Sequence, residues 1–217
     1  MTLSTPAKII MATGAFLGWF AIIIQFYLIL QNREASVPET IIRFFSFFTI
    51  LSNIIVATCF TVQLISPSSA AGKFWNSVKT QAAVAVYILV VGLVYNVVLR
   101  FLWAPAGMQK MVDELLHTII PILFLFYWIR FAPKEGMQWR FALSWLWFPF
   151  IYLVYTLARG AVTDHYPYPF LDAYNHGYSK VFISSAVILV LFLLLSLIFI
   201  AVGKFVGRKN ISVSGKD

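Results

Sequence analysis

The chain has 217 residues, 61% of them hydrophobic, 18% aromatic and only 11% charged, which is far too little charge for a water-soluble domain of this length. Its formal net charge of +8 comes without any basic stripe, finger or groove, so anionic lipid head groups account for it and no nucleic acid is implied. The single cysteine, Cys59, excludes an intrachain disulfide.

Six continuous apolar stretches follow in chain order, at 7–30, 41–65, 80–102, 112–131, 139–160 and 179–203. Each can cross a hydrocarbon core of ~30 Å at ~1.5 Å rise per residue. Lipid-facing strands would alternate apolar and polar side chains, so the prediction is an all-α, six-transmembrane-helix bundle forming one domain over 1–217. The first stretch is too long for a secretory signal and is read as a helix. The second carries Ser46, Thr49 and Asn53 at i, i+3 and i+7, one stripe, with Arg43 just above. The third ends in Asn96 and Arg100, one turn apart. The fourth opens with Asp113, Glu114 and His117 on one face, followed by Pro121, which removes an amide and predicts a kink beside the histidine. The fifth ends in Tyr152, Tyr155, Thr156 and Arg159. After it comes 161–178, AVTDHYPYPFLDAYNHGY, where Pro167 and Pro169 block a helix and the rings suit an outer interfacial loop. The sixth is followed by a short basic tail, 204–217.

Basic residues are retained on the cytoplasmic side during insertion. One side of the predicted topology carries ten basic residues against two acidic ones, and the other carries six of each. Both termini are therefore expected in the cytoplasm.

Polar groups in hydrocarbon are costly, so their placement points to function. Counted inward from the outer helix ends, Thr49 is expected ~12 Å deep, Asn96 ~9 Å, His117 ~8 Å and Arg100 ~3 Å. The opposite half has Gln63 as its main polar group. Taken singly, each has a structural use: a threonine bonds back to its own helix, an acid suits a helix N-terminus, an arginine snorkels. Gathered at one depth, they describe a polar pocket. A threonine hydroxyl needs a base to take its proton, and imidazole fills that role near neutral pH, which casts Thr49 as nucleophile and His117 as base. Asp113 or Glu114 is placed to orient the imidazole. Asn53, Asn96, Arg43 and Arg100 are the oxyanion or substrate-binding candidates, with Ser46, Tyr155 and Arg159 beside them. No Cys or His spacing suggests a metal, and no cofactor is expected.

Three stretches carry a resemblance: RFFSFFTILSNII at 43–55, DELLHTIIPILFLFYW at 113–128 and YPYPFLDAYNHG at 166–177. They resemble the androgen-induced protein family of membrane threonine hydrolases, with its short six-spanning bacterial relatives. The resemblance implies a threonine nucleophile in the first stretch and a histidine in the second, which fall on Thr49 and His117. It implies lipid esters as substrates, specifically fatty acid esters of hydroxy fatty acids in the animal members. The competing classes are a small transporter or channel using the same polar side chains, a b-type haem carrier, for which only His117 is placed, and a membrane protein without chemistry.

Overall fold

The computed structural model describes residues 4–214, with side chains described for residues 4–207. Helices dominate, in the order α1 (Thr5–Gln31), α2 (Val37–Phe45), α3 (Phe48–Ile65), α4 (Ala70–Trp75), α5 (Val78–Val97), α6 (Gly107–Glu114), a π turn (Leu115–Ile119), α7 (Ile120–Phe131), α8 (Phe141–Trp145), α9 (Trp147–Thr163), α10 (Ala173–His176) and α11 (Tyr178–Ser214). No strand occurs among the described residues. Six helices are long and apolar enough to cross a membrane: Thr5–Gln31, Phe48–Ile65, Val78–Phe101, Gly107–Phe131, Phe141–Thr163 and Tyr178–Gly207. Their outer faces are apolar as well: Ile23 and Ile122 are each 62% exposed and Ile183 is 67% exposed. Such a surface suits lipid and not water, as in a multi-pass integral membrane protein.

The second and fourth spans differ from their predicted bounds. The run from residue 41 is not one helix: α2 starts earlier, with Ser36 accepting from the Glu39 amide at its N-cap, and stops at Phe45. Ser46 turns its hydroxyl back onto the Ile42 carbonyl at 2.7 Å, and Phe47 is extended with ψ 122°, so the membrane-spanning helix begins at Phe48. The fourth span begins at Gly107 instead of residue 112, through the polar helix α6. The last helix runs through the predicted tail as far as Ser214. Lys216, Asp217 and the side chains of Arg208 and Lys209, which the tail prediction used, lie outside the described residues.

The chain divides into two compact units between Glu135 and Gly136. In the first unit α1 packs on α3, α3 on α5, α5 on α7, and α7 closes on α1, a four-helix ring of sequence neighbours. Phe60 of α3 lies 5.0 Å from both Phe124 and Tyr127 of α7, centroid to centroid, at the centre of that ring. Toward the C-terminal end of α3, Gln63 accepts from the Tyr127 hydroxyl at 3.1 Å and donates to the Cys59 carbonyl at 3.1 Å. Gln81 of α5 donates to the Trp75 carbonyl at 2.9 Å. Gln63 and Tyr127 thus satisfy one another in hydrocarbon and tie the second span to the fourth.

Just past the fourth span, Lys134 is buried and folds its ammonium back over the end of α7. It donates to the carbonyls of Trp128 at 2.7 Å and Ala132 at 2.8 Å, 4.9 Å from the Trp128 ring centroid. The lysine thus caps carbonyls at a helix C-terminus and complements the dipole there. Burial pulls its pKa from 10.5 down to about 8. The folded value lies below the unfolded one, so between them the unfolded chain binds more protons and stability rises with pH. The thermal unfolding midpoint of detergent-solubilised protein is expected to climb across that window, and Lys134→Met is expected to abolish the climb.

In the second unit α9 packs on α8, α10 and α11. Its C-terminus is closed by Asp164 in the left-handed region (φ 53°), and a Cβ at Gly160 would sit 2.0 Å from the Tyr166 ring, so only glycine admits that tyrosine. The predicted loop is partly ordered into helix: Pro169–Leu171 is a 3₁₀ turn, and Asp172 caps α10 by accepting from the Asn175 amide at 2.9 Å and its side chain at 2.7 Å. These bonds hold the Asp172 carboxyl below the usual carboxylate range.

Candidate functional site

The fourth span departs most from a regular helix at the residues the sequence singles out. From Leu115 to Ile119 it is wound as a π-helix, with the Ile120 amide bonded to the Leu115 carbonyl five residues back. Pro121 explains the difficulty there. Lacking an N–H, it cannot serve the His117 carbonyl of an α ladder or the Leu116 carbonyl of a π ladder. Two asparagines from neighbouring helices supply donors. Asn53 Nδ2 of α3 reaches the Leu116 carbonyl at 3.1 Å, and Asn96 Nδ2 of α5 reaches the His117 carbonyl at 3.2 Å. Each amide also bonds one turn back on its own helix, Asn53 to the Thr49 carbonyl at 2.9 Å and Asn96 to the Gly92 carbonyl at 2.8 Å. The predicted kink is thus a π turn.

His117 stands on this turn. Its Nδ1 lies 2.9 Å from the Asp113 carbonyl and 3.2 Å from Asp113 Oδ1, one turn earlier. Both neighbours accept hydrogen bonds, so Nδ1 carries the proton and the neutral ring keeps its lone pair on Nε2. The Tyr95 ring stacks on the imidazole at 3.9 Å and 16°, and the Tyr95 hydroxyl donates to Asp113 Oδ2. Asp113 is 3% exposed. A buried carboxylate with both oxygens engaged and a ring clamped on one face leave the imidazole little freedom to turn.

The two predicted orienting acids therefore separate. Asp113 faces the histidine, whereas Glu114 turns to Arg100 in a two-pronged pair, Nη1 to Oε1 at 2.7 Å and Nη2 to Oε2 at 2.8 Å. Arg100 Nη2 also donates to Thr118 Oγ1 at 3.1 Å, and its Nε is buried without an acceptor.

Thr49 lies in the first turn of α3, the positive end of that helix's dipole, and is buried. One amide nitrogen, Asn53 Nδ2, reaches both the Thr49 and the Leu116 carbonyls, so the turn bearing Thr49 and the turn bearing His117 are neighbours. The imidazole is held through Nδ1 by Asp113. The predicted stripe of Ser46, Thr49 and Asn53 is broken: Ser46 ends α2 while the other two belong to α3. Arg43 Nε is held by Glu39 Oε1 at 2.8 Å on α2. Asn53 and Asn96 place their amide protons on backbone carbonyls, and Asn53 Oδ1 is buried without a partner. Tyr155 and Arg159 belong to α9 of the second unit, where Tyr155 is half-exposed and Arg159 Nη1 donates to the His165 carbonyl at 3.5 Å.

Sequence reasoning passed over Tyr95, Thr118 and Gly92. The one available sign for Tyr95 was its hydroxyl in a buried apolar helix, which demands a partner. Gly92 sits where a Cβ would be 3.2 Å from the Pro121 Cβ and 3.3 Å from the His117 carbonyl oxygen, so α5 touches the π turn through a residue without a side chain. No cluster of three metal-ligating side chains occurs among the described residues. Neither protein-family models, nor curated proteins, nor solved structures provide a match to this chain.

Proposed function

We propose that the protein is an integral membrane hydrolase of lipid esters, with Thr49 as nucleophile and His117 as general base. The observation that carries this reading is the imidazole itself: Nδ1 against the buried Asp113 carboxylate, its ring stacked on Tyr95, and the turn bearing it tied by Asn53 to the turn bearing Thr49. A nucleophile, a base and a group that orients the base are the parts that acyl transfer requires. The resemblance in residues 43–55 and 113–128 names the same pair.

In this reading Thr49 Oγ1 attacks the ester carbonyl carbon as its proton passes to His117 Nε2, and Asp113 stabilises the imidazolium. The tetrahedral oxyanion collapses, the alkoxide leaves with the proton from Nε2, and an acyl-threonine remains. Water, deprotonated by the same nitrogen, releases the carboxylic acid and restores the hydroxyl. The positive end of α3 favours the negative charge that develops near Thr49. Both termini lie in the cytoplasm of a bacterium, and the substrate enters sideways from the outer leaflet.

An alkyl fluorophosphonate tests the assignment directly, because an activated hydroxyl displaces fluoride and keeps the phosphonyl group. Mass mapping is expected to find the adduct on Thr49, reduced by competing lipid ester and absent from His117→Ala. An adduct on another residue, or labelling of Thr49 that ignores the loss of His117, refutes the assignment.

A further inference from the structure

We propose that Asn53 and Asn96 are positioning residues for His117, which hold open the π turn that aims its imidazole. An unpaired carbonyl is costly in a water-poor interior, so a π turn persists only where its displaced carbonyls find donors. Pro121 removes the α-ladder donor to His117 and the π-ladder donor to Leu116, the Ile120 amide is spent on Leu115, and side-chain amides of two other helices bond the Leu116 and His117 carbonyls. Each asparagine has both amide protons fixed between its own helix and the turn, so each is a strut with no free donor. Asn53 is 0% exposed. Gly92, one turn before Asn96, leaves room for α5 to approach closely enough for the bond. The strut at Asn53 also references both reacting turns at once, because its second proton lies on the Thr49 carbonyl.

A π turn adds one residue to a helical circuit and so rotates everything after it about the helix axis. Closing it would swing His117 away from the direction set by Asp113 and Tyr95. The claim that this matters for turnover rests on the hydrolase reading. The claim that the asparagines set the imidazole's environment does not.

The test uses the full chain with His165→Gln and His176→Gln and a tag free of histidine, so that His117 is the sole imidazole. Carbethoxylation of His117 by diethyl pyrocarbonate is followed across pH, beside turnover of a lipid ester and thermal unfolding. Asn53→Leu and Asn96→Leu keep the bulk and delete the donors. Each is expected to shift the midpoint of the labelling profile and to lower kcat ~10-fold or more with KM little changed. Pro121→Ala restores the missing amide and lets the turn close. It is expected to shift the profile in the same direction, and adding Asn96→Leu to it should produce little further change. Lower melting temperatures with an unaltered labelling profile and kcat would reduce the asparagines to simple ties and overturn the proposal. So would additive effects of Pro121→Ala and Asn96→Leu. If the parent chain turns over no ester, the hydrolase reading fails while the labelling profiles still decide the positioning claim.

Discussion

Thr49→Ala is expected to depress ester hydrolysis on the order of 10³-fold or more, and His117→Ala by a similar factor, because a nucleophile and its base act as one unit. The same logic makes the double variant no worse than either single one, which is the signature that separates a catalytic pair from two independent supports. Asp113→Asn belongs with them for a different reason. The amide retains the shape but not the charge that an imidazolium needs beside Nδ1, and its NH₂ turned toward the ring favours the tautomer with the proton on Nε2. A loss on the order of 10²-fold or more in kcat is expected. Tyr95→Phe keeps the stacked ring and removes only the hydroxyl that donates to Asp113, so its effect should be smaller, on the order of 10-fold. The measurement is turnover of a lipid ester by purified protein in detergent, with thermal unfolding as the check on folding. Full activity in Thr49→Ala would remove the nucleophile. Full activity in His117→Ala would remove the base, whatever the fate of the others.

Hydropathy made the six spans readable, because a continuous apolar run of this length has almost no other physical outcome. What hydropathy does not register is a break without Gly or Pro. The helix stops at Phe45 within an apolar run, through a serine hydroxyl that bonds backward and an extended phenylalanine, and both look ordinary in sequence. That break sets Thr49 in the first turn of its helix, whereas a continuous helix from residue 41 buries it two turns inside. Pro121 announced a disturbance beside His117 but not its form, since a kink and a π turn are equivalent until the donors for the freed carbonyls are known. Those donors, Asn53 and Asn96, were visible as polar residues within the spans. In the folded chain their amide protons meet backbone carbonyls, not an open site. The i, i+4 spacing of Asp113 and His117 did foretell their contact, because helix periodicity alone brings those positions together. The pairing of Glu114 with Arg100 crosses two spans, and no local rule reaches that far.

Gly14 and Gly18 lie one turn apart on α1, on the same buried face as Ala7, Met11 and Ala21, and this small-residue spacing went unused in the reading of the sequence. Between membrane helices lipid is as apolar as leucine, so association depends on close approach and tight packing, which small residues permit. A Cβ at Gly14 would lie 2.4 Å from Phe60 Cε2 and 2.7 Å from Leu123 Cδ2, while one at Gly18 would meet Ala57, with the Cβ nearest at 3.0 Å. Gly14→Leu must therefore push Phe60, and Phe60 is the ring against which Phe124 and Tyr127 pack, so the strain passes from the first span to the second and the fourth. A loss of ~1–3 kcal/mol or more is expected, read as a fall of several degrees in the thermal midpoint or as failure to purify as a monodisperse species. Gly18→Ala should be milder, because a few tenths of an ångström of helix shift accommodates one methyl. Phe60→Ala alone should cost ~3 kcal/mol through the cavity it leaves, yet it opens space beside Gly14. The combination with Gly14→Leu is therefore expected to be more stable than the sum of the two single losses. Because α3 also carries Thr49 and Asn53, Gly14→Leu should lower turnover in any fraction that stays folded. A Gly14→Leu protein that melts with the wild type, or strict additivity with Phe60→Ala, would mean that α1 does not bear on α3 at this contact.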